Sequence, residues 1–271
     1  MHPLGEKYLR KSALPTIFCP GCGHGTVLNA FLRVIDNLDC LDRLGLVSGI
    51  GCSAWVPVFV NADVIHTLHG RALAVATGMK MAKPELSVVV FSGDGDCVGI
   101  GGNHLIHAAR RNIDMTVIML DNAIYGMTGG QVAPTTPSDA RTQTTPYGNP
   151  EPSFDVCGLV RGAGATYIAR YTTAQPKALI AGIEAAMQHK GFSFVQVISQ
   201  CPTQAGRYIY SMTQPAEYLR MIKSRSVTLK ASEKLSPEQL EGKIVTGVLH
   251  SCEGRPEFVE NLERVRRAAT A

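Results

Sequence analysis

The chain has 271 residues, 45% of them hydrophobic and 18% charged, with 27 glycines; this describes one large or two small globular domains and excludes disorder and fibrous repeats. Its longest apolar runs, near residues 87–91 and 115–120, fall far short of the roughly 20 residues that cross a bilayer, so no membrane span is expected. A net charge of +4 without a run of five basic residues gives no electrostatic case for nucleic-acid or membrane binding and leaves a small molecule or another protein as partner.

In chain order, residues 1–11 hold no apolar export signal, so a cytoplasmic location is expected, where eight cysteines stay reduced and paired thiols bind metal or do redox work. A helix is predicted over 26–38, with Val27, Leu28, Phe31 and Ile35 on one face. Short apolar runs predict strands over 45–48, 87–92, 115–121, 165–169 and 194–199. Further helices are predicted over 71–83, 102–112 and 174–189, the first of them stopped at Lys83-Pro84. This alternation predicts an α/β fold, an open parallel sheet with helices on both faces. Residues 126–152 are too long and too rich in Gly, Pro and Thr for an ordinary connection, which points to a functional loop. Over 214–271, 18 of 58 residues are charged, against 30 of the preceding 213. That contrast separates a cofactor-binding domain, 1–213, from a charged extension, 214–271, expected to be mixed helix and loop covering a partner or cofactor. The extension's helices are predicted over 215–223 and 256–267.

Three predicted strands run into glycine-rich sequence, at Gly49-Ile50-Gly51-Cys52, at Gly93-Asp94-Gly95-Asp96 and at 122–130. Ligands of open parallel sheets sit beyond the C-terminal strand ends, so these loops should form one site. Asp94 stands among glycines whose N–H groups can approach an anion, and Asn122 follows 28 residues later, about one βαβ crossover away. A carboxylate, an amide oxygen and a backbone carbonyl, completed by diphosphate oxygens and water, suit Mg²⁺. The alternative is a plain glycine turn with Asn122 as a loop cap.

Cys19-Pro20-Gly21-Cys22 is a tight turn that lets two sulfurs face one metal, and no second such pair exists to complete a zinc ribbon. Cys52 ends a glycine loop and Cys201 follows the strand over 194–199, both near the same sheet edge; Cys40 and Cys157 read as buried small hydrophobes. Four thiolates would suit a 4Fe-4S cluster or Zn²⁺. His24 adjoins the pair and either bonds there or packs the helix start. His69 precedes a helix in His69-Gly70-Arg71-Ala72, and Gly70 would admit a phosphate near that helix. His66, His104 and His107 read as structural, and Arg110-Arg111 as a solvated helix end.

The Gly-Asp-Gly motif with its later asparagine resembles the thiamine-diphosphate fingerprint, which implies Mg²⁺ held by Asp94, Asn122 and the Ile124 carbonyl. Together with Cys19-Pro20-Gly21-Cys22, the loop at Cys52, the His69 segment, residues 121–131 and Cys201-Pro202, it resembles the β subunits of 2-oxoacid:ferredoxin oxidoreductases over about residues 15–215. The resemblance implies a 4Fe-4S cluster on Cys19, Cys22, Cys52 and Cys201. It implies cofactor contacts from Ile50, Gly51, Cys52 and Ser53, from His69 and Gly70, from Gly93, Asp94, Gly95 and Asp96, and from Asn122, Ile124, Tyr125, Gly126, Met127 and Thr128. The implied reaction is CoA-dependent oxidative decarboxylation of a 2-oxoacid, or its reverse, with electrons passed to ferredoxin. Residues 133–137 and 144–148 resemble 2-oxoglutarate-type or broad-specificity subunits, with pyruvate as the alternative.

Thiamine chemistry also needs an activating glutamate. Glu6, Glu85, Glu151 and Glu184 are the only glutamates before residue 214, and none has the setting of a buried activator. The chain is therefore expected to work with an α subunit carrying the pyrimidine-binding domain, in an αβ hetero-oligomer such as a dimer of heterodimers. Two rival readings stay open: a non-redox thiamine decarboxylase or synthase subunit, and a non-catalytic zinc or cluster module. The first leaves the Cys19 pair and Cys201 without purpose, and the second makes Asp94 and Asn122 a coincidence.

Overall fold

A computed structural model describes residues 2–270. Among them, eight strands form one sheet: β1 (Leu44–Ser48), β2 (Asp63–His66), β3 (Ser87–Gly93), β4 (Met115–Asp121), β5 (Tyr167–Thr172), β6 (Phe192–Ile198), β7 (Ser226–Thr228) and β8 (Ile244–Ser251). Their order is β2-β1-β3-β4-β6-β5-β8-β7. The first six are parallel; β8 runs antiparallel to β5, and β7 parallel to β8.

The central strands are continuous apolar runs because both faces of the sheet are covered. In β3, Val89 and Phe91 point into one helix layer, and Val88 and Val90 into the other. Helices Gly23–Leu38 and Pro176–Gln188 build the first layer, where Phe31 meets Phe91 edge to face at 4.9 Å. The second layer is Ala72–Ala82, Gly102–Arg111 and Val156–Ala163, which bury Leu73, Leu105 and Val160.

Several elements differ from the sequence expectation. The first large helix begins at Gly23 rather than 26, because Cys22 is extended (φ −64, ψ 134) and the cysteine turn runs directly into it. Helix Val156–Ala163 was not foreseen; Asp155 caps it by accepting from the Gly158 N–H at 3.1 Å. Beyond Gly93 the chain makes no simple turn but a wide helical one over Gly95–Ile100, with the Gly101 N–H bonded to the Asp96 carbonyl at 3.0 Å. Residues 226–228 and 244–251, expected as helix or loop, extend the sheet, while helices Pro215–Arg225 and Phe258–Thr270 lie near their expected places.

The path positions a site. From β1 the chain moves outward to β2 and then crosses back to β3 on the other side of β1. This reversal opens a crevice above the C-terminal ends of β1 and β3. The β3–β4 and β4–β6 registers bring Gly93, Leu120 and Val197 level, so the loops after β4 and β6 rise beside it. No helix among the described residues is long and apolar enough to cross a membrane.

Candidate active site

A cavity of about 530 Å³ sits above the crevice. It is lined by Ile50, Gly51, Cys52 and Ser53 after β1, His69 after β2, residues 93–96 after β3, and Asn122 with residues 124–128 after β4. The three glycine-rich loops therefore meet, as their strand-end positions require. Leu120 and His24 also line the cavity, although nothing in the sequence placed His24 beyond the cysteine turn.

Gly70 does not join them. Its buried N–H donates to Asp96 Oδ1 at 2.7 Å, and the Ile50 N–H donates to the same oxygen at 3.2 Å. Ser92 Oγ donates to Asp96 Oδ2. His69 Nδ1 lies 2.6 Å from Asp96 Oδ1, at ion-pair distance but out of line for a hydrogen bond. Gly49 is obligatory here, since a Cβ would stand 1.9 Å from Asp96 Oδ2. Asp96 thus ties the loops after β1 and β2 to the end of β3. Asp96 lines the cavity with its carboxylate tied to these loops, and the Gly70 N–H meets that carboxylate rather than the cavity.

Asp94 is buried, and its Oδ2 accepts the Thr135 hydroxyl at 2.6 Å. The same hydroxyl oxygen lies 2.9 Å from Asp121 Oδ1, and Asp121 Oδ2 accepts from Gln196 Nε2 at 2.7 Å. Burial, with Asp121 close by, pushes the Asp94 carboxyl up to about 8; burial raises Asp121 as well. Asn122 Oδ1 accepts the Ile124 N–H at 3.2 Å across Ala123, which is left-handed at φ 60. Two buried carboxyls held above their ordinary range invite a divalent cation, and the oxygen donors of Asp94 and Asn122 fit Mg²⁺.

Cys19 is exposed, whereas Cys22, Cys52 and Cys201 are partly buried. Burial pushes the Cys22 thiol up to about 12 and Cys52 to about 11, and raises Cys201. Cys19, Cys52 and Cys201 lie near enough to Cys22 for their charges to raise its thiol further. Among the described residues no three Cys, His, Asp or Glu side chains are gathered around a single ion. A tetrahedral ion with bonds of about 2.3 Å needs sulfurs roughly 3.8 Å apart. A 4Fe-4S cube takes four thiolates, one on each iron, and these four cysteines are a donor set of that kind. Buried His24 has its pKa lowered to about 4 by burial and places Nδ1 3.2 Å from Cys22 Sγ. Of the other cysteines, Cys40, Cys97 and Cys157 are buried and Cys252 is exposed.

Cavity and thiols meet at Gly126: it lines the cavity, and a Cβ there would lie 3.4 Å from Cys201 Sγ. Sequence reasoning missed Thr135, Asp121 and Gln196. The length of the 126–152 loop and the resemblance at 133–137 marked that loop as functional without giving Thr135 a role, and Thr135 is where the loop docks.

Residues 49–197 match the family described as "Thiamine pyrophosphate enzyme, C-terminal TPP binding domain". A protein of Methanocaldococcus jannaschii named "2-oxoglutarate synthase subunit KorB" is 50% identical over 98% of this chain and 97% of its own. The "2-oxoacid:ferredoxin oxidoreductase 2, subunit beta" of Aeropyrum pernix is 37% identical over 92% of this chain and 84% of its own. Among solved structures, a 2-oxoglutarate:ferredoxin oxidoreductase from Magnetococcus marinus superposes with a TM-score of 0.87 at 36% identity, covering 98% of this chain and 91% of that one. Resemblance over nearly the whole length, on a fold that builds its cavity at the expected strand ends, settles the family: the chain belongs to the β subunits of the thiamine-dependent 2-oxoacid:ferredoxin oxidoreductases.

Proposed function

We propose that the chain is the β subunit of a 2-oxoglutarate:ferredoxin oxidoreductase, working with an α subunit that carries the pyrimidine-binding domain, in a dimer of αβ units. Relatives named for 2-oxoglutarate at about half identity support the substrate. So does the Magnetococcus marinus structure, described with 2-oxoglutarate, coenzyme A and succinyl-CoA bound, which also supports coenzyme A as the acyl acceptor.

Mg²⁺ would rest on Asp94, Asn122 and the Ile124 carbonyl, and a 4Fe-4S cluster on Cys19, Cys22, Cys52 and Cys201. When bound, thiamine diphosphate supplies the carbanion chemistry of decarboxylation and the cluster supplies one-electron acceptance toward ferredoxin. The chain's own part is positional. Asp94 and Asn122 would hold the cation that offsets the diphosphate charge, Asp96 fixes the loops around that place, and Leu120 and Ile124 keep one wall of the cavity apolar. His24, held neutral by burial, bonds Cys22.

The observation that carries the reading is Gly126, which lines the cavity and leaves Cys201 Sγ room to approach it. A non-redox enzyme has no use for that junction. The test is the αβ complex purified without oxygen. It should contain about four iron and four sulfide per αβ unit, as a single 4Fe-4S cluster requires, with bound thiamine diphosphate. It should also reduce ferredoxin when given 2-oxoglutarate and coenzyme A. Zinc in place of iron, or ferredoxin reduction that survives Cys201→Ser, would sink the electron-transfer assignment. Faster turnover of pyruvate than of 2-oxoglutarate would overturn the substrate.

A further inference from the structure

A second, solvent-open cavity shares Asn122 with the first. Its floor is the C-terminal ends of β4, β5 and β6, with Asp121, Arg170, Gln196 and Ile198, and residues 210–225 and 243–244 cover it. Three cations line it: Arg170, Arg225 and Lys243. Arg170 Nε donates to Gln196 Oε1 at 2.7 Å; its one ion pair among the described residues is with exposed Asp155, at 3.7 Å, and its charge also acts on buried Asp121. The Arg225 guanidinium touches Met221 Sδ at 3.6 Å and, like Lys243, makes no ion pair among the described residues. The one carboxyl in the lining, Asp121, is already occupied by Thr135, Gln196 and the Ala123 N–H.

Three cations thus face a cavity lined by a single carboxyl, Asp121, two of them, Arg225 and Lys243, from its exposed side, and this excess of positive charge favours an anion there. Arginine forks suit carboxylate and phosphate oxygens alike. The cavity also lies where open parallel sheets take their ligands, beyond the C-terminal strand ends.

We propose that this chamber binds a phosphate or carboxylate group of a co-substrate acting at the adjoining site. The existence of the anion site stands on its own geometry, and only the co-substrate's identity rests on the oxidoreductase reading. Under that reading the anion comes from the phosphates of coenzyme A or from the distal carboxylate of 2-oxoglutarate.

The test compares the αβ holoenzyme with its Arg225→Gln/Lys243→Gln variant, both saturated with Mg²⁺ and thiamine diphosphate so that the diphosphate site is filled. Calorimetry measures binding of inorganic pyrophosphate, desulfo-coenzyme A and 2-oxoglutarate. A charge-assisted contact of about 1.4 kcal/mol corresponds to tenfold, so affinity for the true ligand should fall about tenfold per cation removed. Weakened desulfo-coenzyme A with unchanged 2-oxoglutarate assigns the phosphates. The reverse, with 2-oxobutyrate unaffected because it lacks the distal carboxylate, assigns the 2-oxoacid. Charge-preserving Arg225→Lys/Lys243→Arg should retain most of the affinity in either case. Binding of all three ligands within twofold of wild type would overturn the proposal, as would equal losses for 2-oxobutyrate and 2-oxoglutarate with desulfo-coenzyme A also weakened. If the double variant fails to fold, Lys243→Gln alone, at an exposed position, is held to the same criteria. A wild-type complex that turns over no 2-oxoacid, yet binds pyrophosphate through Arg225 and Lys243, overturns the oxidoreductase reading and leaves the chamber standing.

Discussion

Thr135 has one hydroxyl proton and two carboxyl neighbours, Asp94 and Asp121, so it donates to one at a time. Without a cation, the other carboxyl is stabilised by keeping its own proton, which agrees with burial raising both. With Asp94 raised to about 8 from an ordinary value near 4, the folded metal-free chain holds a proton that the unfolded chain has lost. Its stability therefore falls as pH rises through that window, and a divalent cation must displace the proton to bind. Mn²⁺ titration of the αβ complex should show affinity rising up to about tenfold per pH unit between pH 6 and 8, one proton being exchanged per ion. A flat profile would contradict this. Asp94→Asn should abolish the slope and the thiamine diphosphate, with iron content retained. Removing the Thr135 hydroxyl leaves a buried acceptor unsatisfied, at a cost of about 1–3 kcal/mol. Thr135→Val should then weaken Mn²⁺ roughly tenfold, and Thr135→Ser should restore it. Asp94 was legible in the sequence because glycines flank it at a strand end. Thr135 was not: the stretch 133–137 around it was read only for substrate type, and its carboxyl partner lies 41 residues away.

At the scale of elements, legibility followed burial. The strands at the centre of the sheet are apolar on both faces and declared themselves, with ends off by only a few residues. β2 is an edge strand with Asp63 and His66 exposed, and β7 and β8 lie in charged sequence with partly exposed faces, so none carried the apolar run that marked the others. The wide turn over Gly95–Ile100 was hidden for another reason: its glycines read as a simple turn, whereas they make room for Tyr125. A Cβ at Gly95 would lie 2.2 Å from the Tyr125 ring, whose hydroxyl donates to the Gly95 carbonyl at 3.0 Å. Gly95→Ala should displace Tyr125 from the cavity wall and weaken thiamine diphosphate about tenfold or more, read by calorimetry, while iron stays constant. Phe31→Ala is the contrasting change. It removes a ring packed on Phe91 beneath the sheet and should lower stability by about 3–5 kcal/mol in thermal melts, with cofactor affinity kept in the folded fraction.

At the scale of the whole molecule, what the first cavity lacks bears on the partner subunit that the relatives' names imply. Among the described residues, the carboxyls lining the first cavity are Asp94 and Asp96, and each already has its partners. No glutamate lines it among the described residues: Glu6, Glu85 and Glu151 are exposed, and Glu184 accepts from the Asn37 amide. Around the mouth, apolar side chains remain open to solvent, with Leu68 77% exposed, Met127 48% and Ile100 41%. Leu68 adjoins His69, Ile100 packs against Gly70 and Met127 lines the cavity, so these apolar side chains stand on or beside the loops that Asp96 ties down. A partner that seats there would supply the missing acid and remove the rim from water in one step. Separated β chain should then bind thiamine diphosphate and Mg²⁺ yet give no 2-oxoacid turnover, and adding the α subunit should restore it. Leu68→Asp should weaken αβ association about tenfold or more in sedimentation, because a charge must be buried where an apolar side chain was, with the fold intact by circular dichroism. Turnover by the β chain alone, or assembly indifferent to Leu68→Asp, would mean that the activating acid and the docking face lie elsewhere.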